Sequence, residues 1–296
     1  MMMAVCGFAA SNVGTVNTTG DGNTANITQA GTDNTANIEQ IANTSTATQI
    51  QNGTNNTADL DQKGGWPANS TVVGETGYQE QQGSNNQAQL WQLADGGSGG
   101  NNGNQFQNGT GNNVVAWQHT VGSTVDQDQI GTNNEARAYQ TGFSGYIRQL
   151  QDGSGNIATV DEQGGGGWTT GNSATQIQTG NWNKTEISQY GTAGAKSAQG
   201  NTASISQNGS DNWAGEGMFN NGLFGIYQEG NYNNANVYQN LNVNKSEISQ
   251  VGDGNMVTVN QTGGSGLFGD YGDFVNKADV NQTGNNNSTT INQTYP

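Results

Sequence analysis

Apolar and amide residues recur along the chain at fixed positions of an eleven-residue unit, Asn-x-Ala-x-Φ-x-Gln-x-Gly, in which Φ is aliphatic. The first clear copy runs from Asn23 to Gly31, and its glutamine returns at Gln40, Gln51 and Gln62. Within each unit the motif residues alternate with a period of two, which is typical of a strand, and no helical periodicity is present. The pattern therefore predicts one strand of about seven residues in each unit.

The residues after each motif glutamine predict a tight turn. They usually contain glycine, which adopts positive φ freely, and often asparagine, which tolerates it. Two units then form one strand-turn-strand-turn coil, of about 22 residues. One coil cannot bury a core alone, so coils must stack. The predicted fold is all-β, a β-solenoid of two facing parallel sheets with about 11 to 12 coils, in a cross-β arrangement.

The motif asparagines and glutamines should point between the two sheets with the Ala and Φ residues. An isolated buried amide is unfavourable, but amides in register can hydrogen-bond to the same residue of the next coil. The predicted structural ladder comprises Asn23, Gln29, Asn34, Gln40, Gln51, Asn56, Gln62, Asn86, Gln92, Asn134, Gln140, Asn201, Gln207, Asn233, Gln239, Gln250, Asn255, Gln261, Asn276, Gln282, Asn287 and Gln293.

Several glutamine spacings exceed the length of one unit. Four of them, after Gln62, Gln92, Glu162 and Gln189, contain insertions that follow even-numbered units, so we expect these insertions at one edge of the stack. Two further gaps, Gln207 to Gln228 and Gln261 to Gln282, are nearly two units long and predict hidden degenerate units. The first would contain Asn212, Ala214 and Met218, and the second residues 268–272. A further degenerate unit is expected at Asn12, Val16 and Gly20.

Composition alone would favour disorder, because only 30% of the residues are hydrophobic and 47 are glycine. The regular eleven-residue spacing argues against disorder. The net charge of −16 argues against nucleic-acid binding, which needs a basic face, and no stretch predicts a membrane span. Cys6 and His119 are single, so no disulfide framework or cysteine metal site is predicted. We interpret residues 1–11 as a leader or signal remnant and residues 12–296 as the repeat region.

The repeat resembles that of the curlin family, which reads approximately S-x5-Q-x-G-x-x-N-x-A-x3-Q. Residues Ser45 to Gln62 and Ser123 to Gln140 match this pattern closely. The resemblance implies a secreted bacterial protein whose subunits polymerise into extracellular, curli-like functional amyloid of the biofilm matrix. It also implies accessory proteins for outer-membrane secretion and nucleation, but no cofactor.

We therefore expect a fibre-forming structural subunit that polymerises head to tail and has no enzymatic activity. Solenoid ends expose unpaired backbone groups, and matching ends of two copies form a contact that propagates. The motif reaches Gln293 without a recognisable cap, which places the expected polymerisation ends around Val16 and Ile27 and around Val280 and Ile291.

Two other functional classes are alternatives to a fibre-forming subunit. The first is an ice-binding or other soluble secreted β-solenoid adhesin. Ice binding needs a flat, regular outward array of threonine, but outward Thr28, Thr48 and Thr175 are irregularly placed. A polysaccharide-cleaving β-helix needs clustered carboxylates, for which Asp126 with Asp128 and Asp161 with Glu162 are the nearest candidates. We interpret these as solvated acidic positions.

Aromatic residues fall into two groups. Trp66, Trp168, Phe224, Phe268 and Phe274 lie in or beside insertions or degenerate units. Trp91, Trp117, Tyr139 and Tyr238 directly precede a motif glutamine, a position that faces outward by alternation. We expect local packing on the sheet exterior, with lateral contact between fibrils or adhesion as the alternative.

Overall fold

A computed structural model describes residues 5–6, 11–64, 74–94, 100–163, 171–190, 200–214, 225–242, 244–262 and 276–294. The described residues form strands and turns without a helix, which confirms the predicted all-β class. The chain divides into two compact units, Met1–Ser144 and Gly145–Pro296. Each unit consists of two parallel sheets, called 1A and 1B in the first unit and 2A and 2B in the second.

The first unit contains strands β1 to β12. Sheet 1A contains β1 (Val5–Cys6), β3 (Thr24–Thr32), β5 (Thr46–Thr54), β7 (Thr76–Ser84), β9 (Asn102–Thr110) and β11 (Thr124–Thr132). Sheet 1B contains β2 (Val13–Thr19), β4 (Thr35–Ile41), β6 (Thr57–Gly64), β8 (Gln87–Ala94), β10 (Asn113–Val121) and β12 (Glu135–Phe143). Successive strands alternate between the sheets, which is the predicted β-solenoid.

The second unit contains strands β13 to β24. Sheet 2A contains β13 (Tyr146–Ser154), β15 (Ser173–Asn181), β17 (Thr202–Asn208), β20 (Asn234–Asn240), β22 (Met256–Thr262) and β24 (Ser288–Thr294). Sheet 2B contains β14 (Ile157–Gln163), β16 (Lys184–Tyr190), β18 (Trp213–Ala214), β19 (Ile226–Glu229), β21 (Asn244–Val251) and β23 (Asn276–Thr283).

Paired strands align equivalent residues of successive coils. Gln29 lies beside Gln51, and Ala25 lies beside Ala47, at an offset of 22 residues. The offset grows to 30 residues between β5 and β7 and to 32 between β22 and β24, because inserted residues lengthen the connections. The coil length predicted from two successive units is therefore correct only for coils without an insertion.

The core of each unit lies between its two sheets. Ala, Φ and Gln positions are buried and alternate with exposed or half-buried residues along almost every strand, as in β3. Side-chain volumes compensate across the core, since a Cβ added to Gly77 would lie 2.7 Å from Leu60 Cδ1. A Cβ added to Gly103 would lie 2.6 Å from Leu90 Cδ1. Glycine at these two positions makes room for the larger leucine opposite.

The four expected insertions follow β6 and β8 in the first unit and β14 and β16 in the second. Each of these strands belongs to sheet 1B or 2B and leads to a strand of sheet 1A or 2A. Within each unit the two insertions therefore lie at the same edge, as predicted. The inserted residues 65–73, 95–99, 164–170 and 191–199 lie outside the described residues.

The predicted hidden units are wrong for both of the longer gaps. Residues Trp213–Ala214 and Ile226–Glu229 both pair with β16 and β21, so they are two halves of one strand position separated by an insertion. At the second gap, β21 pairs directly with β23 and β22 directly with β24. No register position remains between them for another unit, although Met218 and residues 268–272 themselves lie outside the described residues.

The expected degenerate unit near the start is strand β2, in which Val16 pairs with Ile38. Within the predicted leader, Val5 and Cys6 form a short strand that pairs with Ile27 and Thr28. The other residues before Ser11 lie outside the described ones.

Candidate assembly surface and internal amide ladders

The motif glutamines form continuous hydrogen-bonded columns in each unit. Gln29 Nε2 donates to Gln51 Oε1 at 2.8 Å, and Gln51 Nε2 donates to Gln81 Oε1 at 2.8 Å. The same contact joins Gln207 to Gln239 in the second unit at 2.8 Å. In each of these pairs the earlier coil donates and the later coil accepts, so the columns have a direction.

Each column is also tied to the opposite sheet. Gln51 Nε2 donates its other hydrogen to the backbone oxygen of Thr35 at 2.9 Å, and Gln62 Nε2 donates to that of Thr46 at 3.0 Å. Thr35 lies in sheet 1B and Thr46 in sheet 1A, so glutamines of both sheets reach across the core. One buried amide nitrogen thereby satisfies two acceptors, which removes the penalty of burying it.

The asparagines bond differently from the predicted amide ladder. Asn34 Oδ1 accepts from the backbone N–H of Asn56 at 3.0 Å, while Asn34 Nδ2 donates to the backbone oxygen of Gly53 at 3.0 Å. The side chain thus holds the turn of the next coil. Direct amide contacts between asparagines also occur, as between Asn287 Nδ2 and Asn255 Oδ1 at 3.0 Å. Turn capping is therefore a role of asparagine that the motif alone did not reveal.

All the predicted ladder residues point inward, and all are buried except Asn23, Asn287 and Gln293, which are half-buried. Of the four predicted end residues, Ile27 and Val280 are buried, whereas Val16 and Ile291 are half-buried. Further buried amides share these columns but were not predicted as ladder residues, and the same eleven-residue register identifies them: Asn112, Gln118, Gln129, Gln151, Asn156, Asn172, Gln178, Asn183, Gln189, Asn212, Gln228 and Asn244.

A third column occupies the Φ positions of sheet 1A. Gln49 Nε2 donates to Gln79 Oε1 at 2.8 Å, Gln79 to Gln105 at 2.7 Å and Gln105 to Gln127 at 2.9 Å. All four side chains are buried. These glutamines stand where other units carry an aliphatic residue, and their mutual contact depends on the register of the coils.

Among the described residues, three buried glutamine oxygens form no hydrogen bond, namely Oε1 of Gln40, Gln49 and Gln189, and the direction of the columns explains all three. The preceding residue in each column lacks an amide, since Gln40 follows Thr18 and Gln49 follows Ile27. Gln189 follows Glu162. In each case the oxygen faces a position that carries no amide donor.

The one-way direction of the columns predicts that the same substitution at two positions of one column lowers stability by different amounts. Gln79→Ile leaves Gln105 Oε1 without its donor, adding one buried unsatisfied oxygen, whereas Gln49→Ile removes one such oxygen and creates another. We expect Gln79→Ile to lower the free energy of unfolding by about 1–3 kcal/mol more than Gln49→Ile. Urea unfolding of the unassembled chain measures both, and equal losses would contradict the rule.

One ladder position carries a buried acid. Glu75 occupies an asparagine position, and its Oε2 accepts from the backbone N–H of Asn101 at 2.9 Å while Oε1 accepts from Asn101 Nδ2 at 3.4 Å. Burial raises the pKa of the Glu75 carboxyl to about 8, against the opposing effect of these two hydrogen bonds. The carboxyl is therefore mostly neutral at pH 7 in the folded unit.

The two acidic pairs considered for catalysis lie in different environments. Asp126 and Asp128 lie half-buried on the outer face of sheet 1A. Asp161 lies on the outer face of sheet 2B, where Tyr190 donates to its Oδ2 at 3.3 Å, whereas Glu162 points into the core. No group of three or more potential metal-binding His, Cys, Asp or Glu side chains occurs among the described residues.

Other outer-face acids form ion pairs or hydrogen bonds. Lys63 Nζ lies 2.7 Å from Glu39 and 3.1 Å from Asp61, and its pKa is raised chiefly by the hydrogen bond to Glu39. Burial is the main cause of a raised pKa at Asp61. Burial, together with Glu80, raises the pKa of Tyr78 to about 12. These contacts fit structural roles on the sheet surface.

The outward threonines considered for ice binding occupy interrupted columns. Thr28 lies beside Ile50, and Thr48 lies between Asn26 and Tyr78. Thr175 lies between Arg148 and Ser204. No regular threonine array is formed at these three positions.

Aromatic residues form a column on the outer face of sheet 1B. The ring centroids of Trp91 and Trp117 are 4.3 Å apart, and those of Trp117 and Tyr139 are 5.2 Å apart. The rings contact one another, in keeping with the expected local packing, while Trp117 and Tyr139 remain 38% and 37% exposed. Tyr238 is 43% exposed. Trp66, Trp168, Phe224, Phe268 and Phe274 lie outside the described residues.

Membrane insertion by a helix finds no support in the described residues, which contain no apolar helix of spanning length. No curated protein matches the chain. The model of the curlin associated repeat matches residues 199–240 and 225–263, which include strands β17 to β22. The resemblance derived from the motif spacing is thereby confirmed in this part of the chain.

Proposed function

We propose that this protein is a structural subunit that polymerises head to tail into extracellular, curli-like amyloid fibres on the bacterial surface, where they serve biofilm matrix and adhesion. The observation that carries the proposal is that neighbouring coils join through features shared by all coils. Backbone pairing, directional glutamine columns and stacked turns need no residue that is special to one coil. A coil at the edge of one molecule is therefore suited to pair with a coil of another.

The strands at the edges support this mechanism. Among the described residues, β24 pairs only with β22, and its inward-facing Ile291 is half-buried, whereas Ile248 within sheet 2B is fully buried. Likewise β2 pairs only with β4, and Val16 is half-buried. Pairing with another copy would bury these side chains and satisfy the edge backbone groups.

The ladder direction gives such a polymer a polarity. Gln293 accepts from Gln261 at 2.8 Å and donates one Nε2 hydrogen to the backbone oxygen of Lys277 at 2.8 Å. Its equivalents in inner coils donate the other hydrogen to the next glutamine. In a fibre, the glutamine Oε1 of an incoming subunit would accept it. Accessory secretion and nucleation proteins, as in the curlin family, complete the proposed route.

Adjacent substitutions on β24 test the proposal. Ile291→Lys would place a charge in the new interface, and we expect seeded elongation to slow by at least about tenfold. Asn292→Lys adds the same charge on the exposed face of the same strand, so it serves as the control and should elongate at nearly the wild-type rate. Elongation is followed by sedimentation of the unassembled chain. Fibre diffraction of the wild-type product should show a spacing of about 4.7–4.8 Å.

A deletion gives the second measurement. A variant lacking residues 276–296 loses β23 and β24 and should elongate more slowly than wild type. Assembly of this variant at the wild-type rate into identical fibres would refute the proposed edge. A wild-type chain that stays monodisperse at high concentration would refute polymerisation itself.

A further inference from the structure

An acid occupies one rung of the glutamine column in sheet 2B. Strand β14 aligns Glu162 with Gln189 of β16, a position filled by glutamine in the pairs Gln189–Gln228 and Gln228–Gln250. Glu162 is only 4% exposed. In the regular column the earlier side chain supplies an N–H to the later Oε1, and a glutamate has none to give.

Gln189 shows the consequence. Its Nε2 donates to Gln228 Oε1 at 2.8 Å, which orients the amide along the column. Its Oε1 therefore faces the Glu162 position, and this buried oxygen forms no hydrogen bond to a nitrogen or oxygen donor in the structure. The other two such glutamine oxygens, on Gln40 and Gln49, face Thr18 and Ile27. Only Gln189 faces a group that can become a donor by taking up a proton.

We propose that Glu162 is a protonation switch of the solenoid: the folded coil retains a proton on its carboxyl group, which donates it as an O–H···O hydrogen bond to Gln189 Oε1. The protonated acid is close in size to glutamine and supplies the missing donor, so the column becomes continuous. The ionised acid would place a negative charge against a carbonyl oxygen in the core, which is strongly unfavourable.

The surroundings of Glu162 favour the neutral form. Its inward neighbours on β14 and β16 include Val160 and Ile187, both fully buried. In the described part of the second unit, the other titratable groups on the surrounding strands lie on the outer faces: Asp161 on β14, Lys184, Glu186 and Tyr190 on β16, and Tyr146, Arg148 and Asp152 on β13. Strand β15 has none. The cations on these strands, Lys184 and Arg148, therefore lie on the faces turned away from the core.

Closure of this coil is then linked to pH. An unfolded glutamate loses its proton near its ordinary pKa of about 4.3, whereas the folded coil keeps it to higher pH. In that interval folding takes up one proton, so the ratio of closed to open coil falls by up to about tenfold for each unit by which pH rises. Acid therefore favours formation of the coil. This property does not depend on polymerisation and can be measured with or without it.

Glu162→Gln restores the regular rung and tests the switch. We expect hydrogen–deuterium exchange of the full chain at pH 5, 6, 7 and 8, corrected for intrinsic exchange, to show falling protection of residues 157–163 and 184–190 in the wild type. In Glu162→Gln this protection should be independent of pH and at least about tenfold above wild type at pH 8. Asp161→Asn removes the same charge from the neighbouring outward position and should retain the wild-type dependence.

Identical pH dependence of the wild type and Glu162→Gln would overturn the proposal, as would protection in the variant no higher than in the wild type at pH 8. Infrared spectroscopy gives an independent readout. At pH 7 the wild type minus Glu162→Gln difference spectrum should contain the C=O band of a protonated carboxylic acid. The wild type minus Asp161→Asn difference should lack it. Absence of the band from the first spectrum would show an ionised Glu162 and reject the switch.

Discussion

Replacing Gly109 with alanine is expected to destabilise the first unit by roughly 4 kcal/mol or more, the range reached when a side chain is forced into occupied space. A Cβ at Gly109 would lie 1.8 Å from the backbone oxygen of Gly131, and its φ of 141° is unfavourable for any L side chain. The neighbouring atom is backbone in the next coil, so it cannot move without disturbing the pairing of β9 with β11.

The same close approach recurs along the turn column of the first unit. Added Cβ atoms at Gly31, Gly53 and Gly83 would lie 1.9, 1.8 and 2.0 Å from the backbone oxygen of the following glycine. The Cβ of a single alanine would therefore collide with backbone atoms of the next coil rather than with a flexible side chain. We expect the loss at Gly109 to appear as a lower urea midpoint and lower exchange protection of β9 and β11.

Gly122→Ala is the matched control for this prediction. Gly122 also has a positive φ, 71°, but the nearest neighbour of an added Cβ would be Ser144 Oγ at 3.8 Å. Only the backbone preference is lost there, so the expected cost is about 1 kcal/mol. Equal destabilisation by the two variants would mean that φ alone, and not the stacking of coils, selects glycine at Gly109.

Raising the pH from 4 to 9 is expected to reduce the free energy of unfolding of the first unit through Glu75, by an upper limit of about 5 kcal/mol. The pKa of this carboxyl is about 8 in the folded unit, compared with 4.5 for an unperturbed glutamate. Between these values the folded state holds a proton that the unfolded chain has lost. Stability from this group is therefore greatest below pH 4.5, falls as pH rises, and reaches its lowest value above pH 8.

Glu75→Gln isolates this effect, because the amide stays neutral and its oxygen can still accept from the backbone N–H of Asn101. The variant should match the wild type at pH 4 and exceed it increasingly toward pH 9, as measured by urea unfolding of the unassembled chain. Glu80→Gln removes a carboxylate from the half-buried outer face of β7 and should preserve the wild-type slope. A wild-type slope in Glu75→Gln would show that its carboxyl titrates normally.

Much of the fold could be predicted from the repeat because strand alternation is a local property. Ala25, Ile27 and Gln29 fall on one face for the same reason that any three alternating residues do, and the structure buries all three. Fixed spacing also implied that equivalent residues pair, as Gln29 does with Gln51. The positions of insertions within each unit followed from counting strands.

The two hidden units were predicted wrongly because spacing alone does not distinguish an insertion from a degenerate repeat. Asn212 and Ala214 looked like the start of a separate unit, but the structure places them ahead of Ile226 and Gln228 in one strand position. The local pattern of residues does not show that a strand is interrupted by an insertion. Only pairing with β16 and β21 shows that the two pieces share a position.

By itself, the sequence determined the strand period, the inward set of Asn, Ala, Φ and Gln, and the likeness to the curlin repeat, because these depend on spacing along one chain. The tertiary structure decided what these residues contact. The one-way glutamine columns, the asparagine contacts that hold the next turn, the glycine stack and the burial of Glu75 and Glu162 all join residues that are distant in sequence. Such contacts arise only when one coil lies on another or against the opposite sheet.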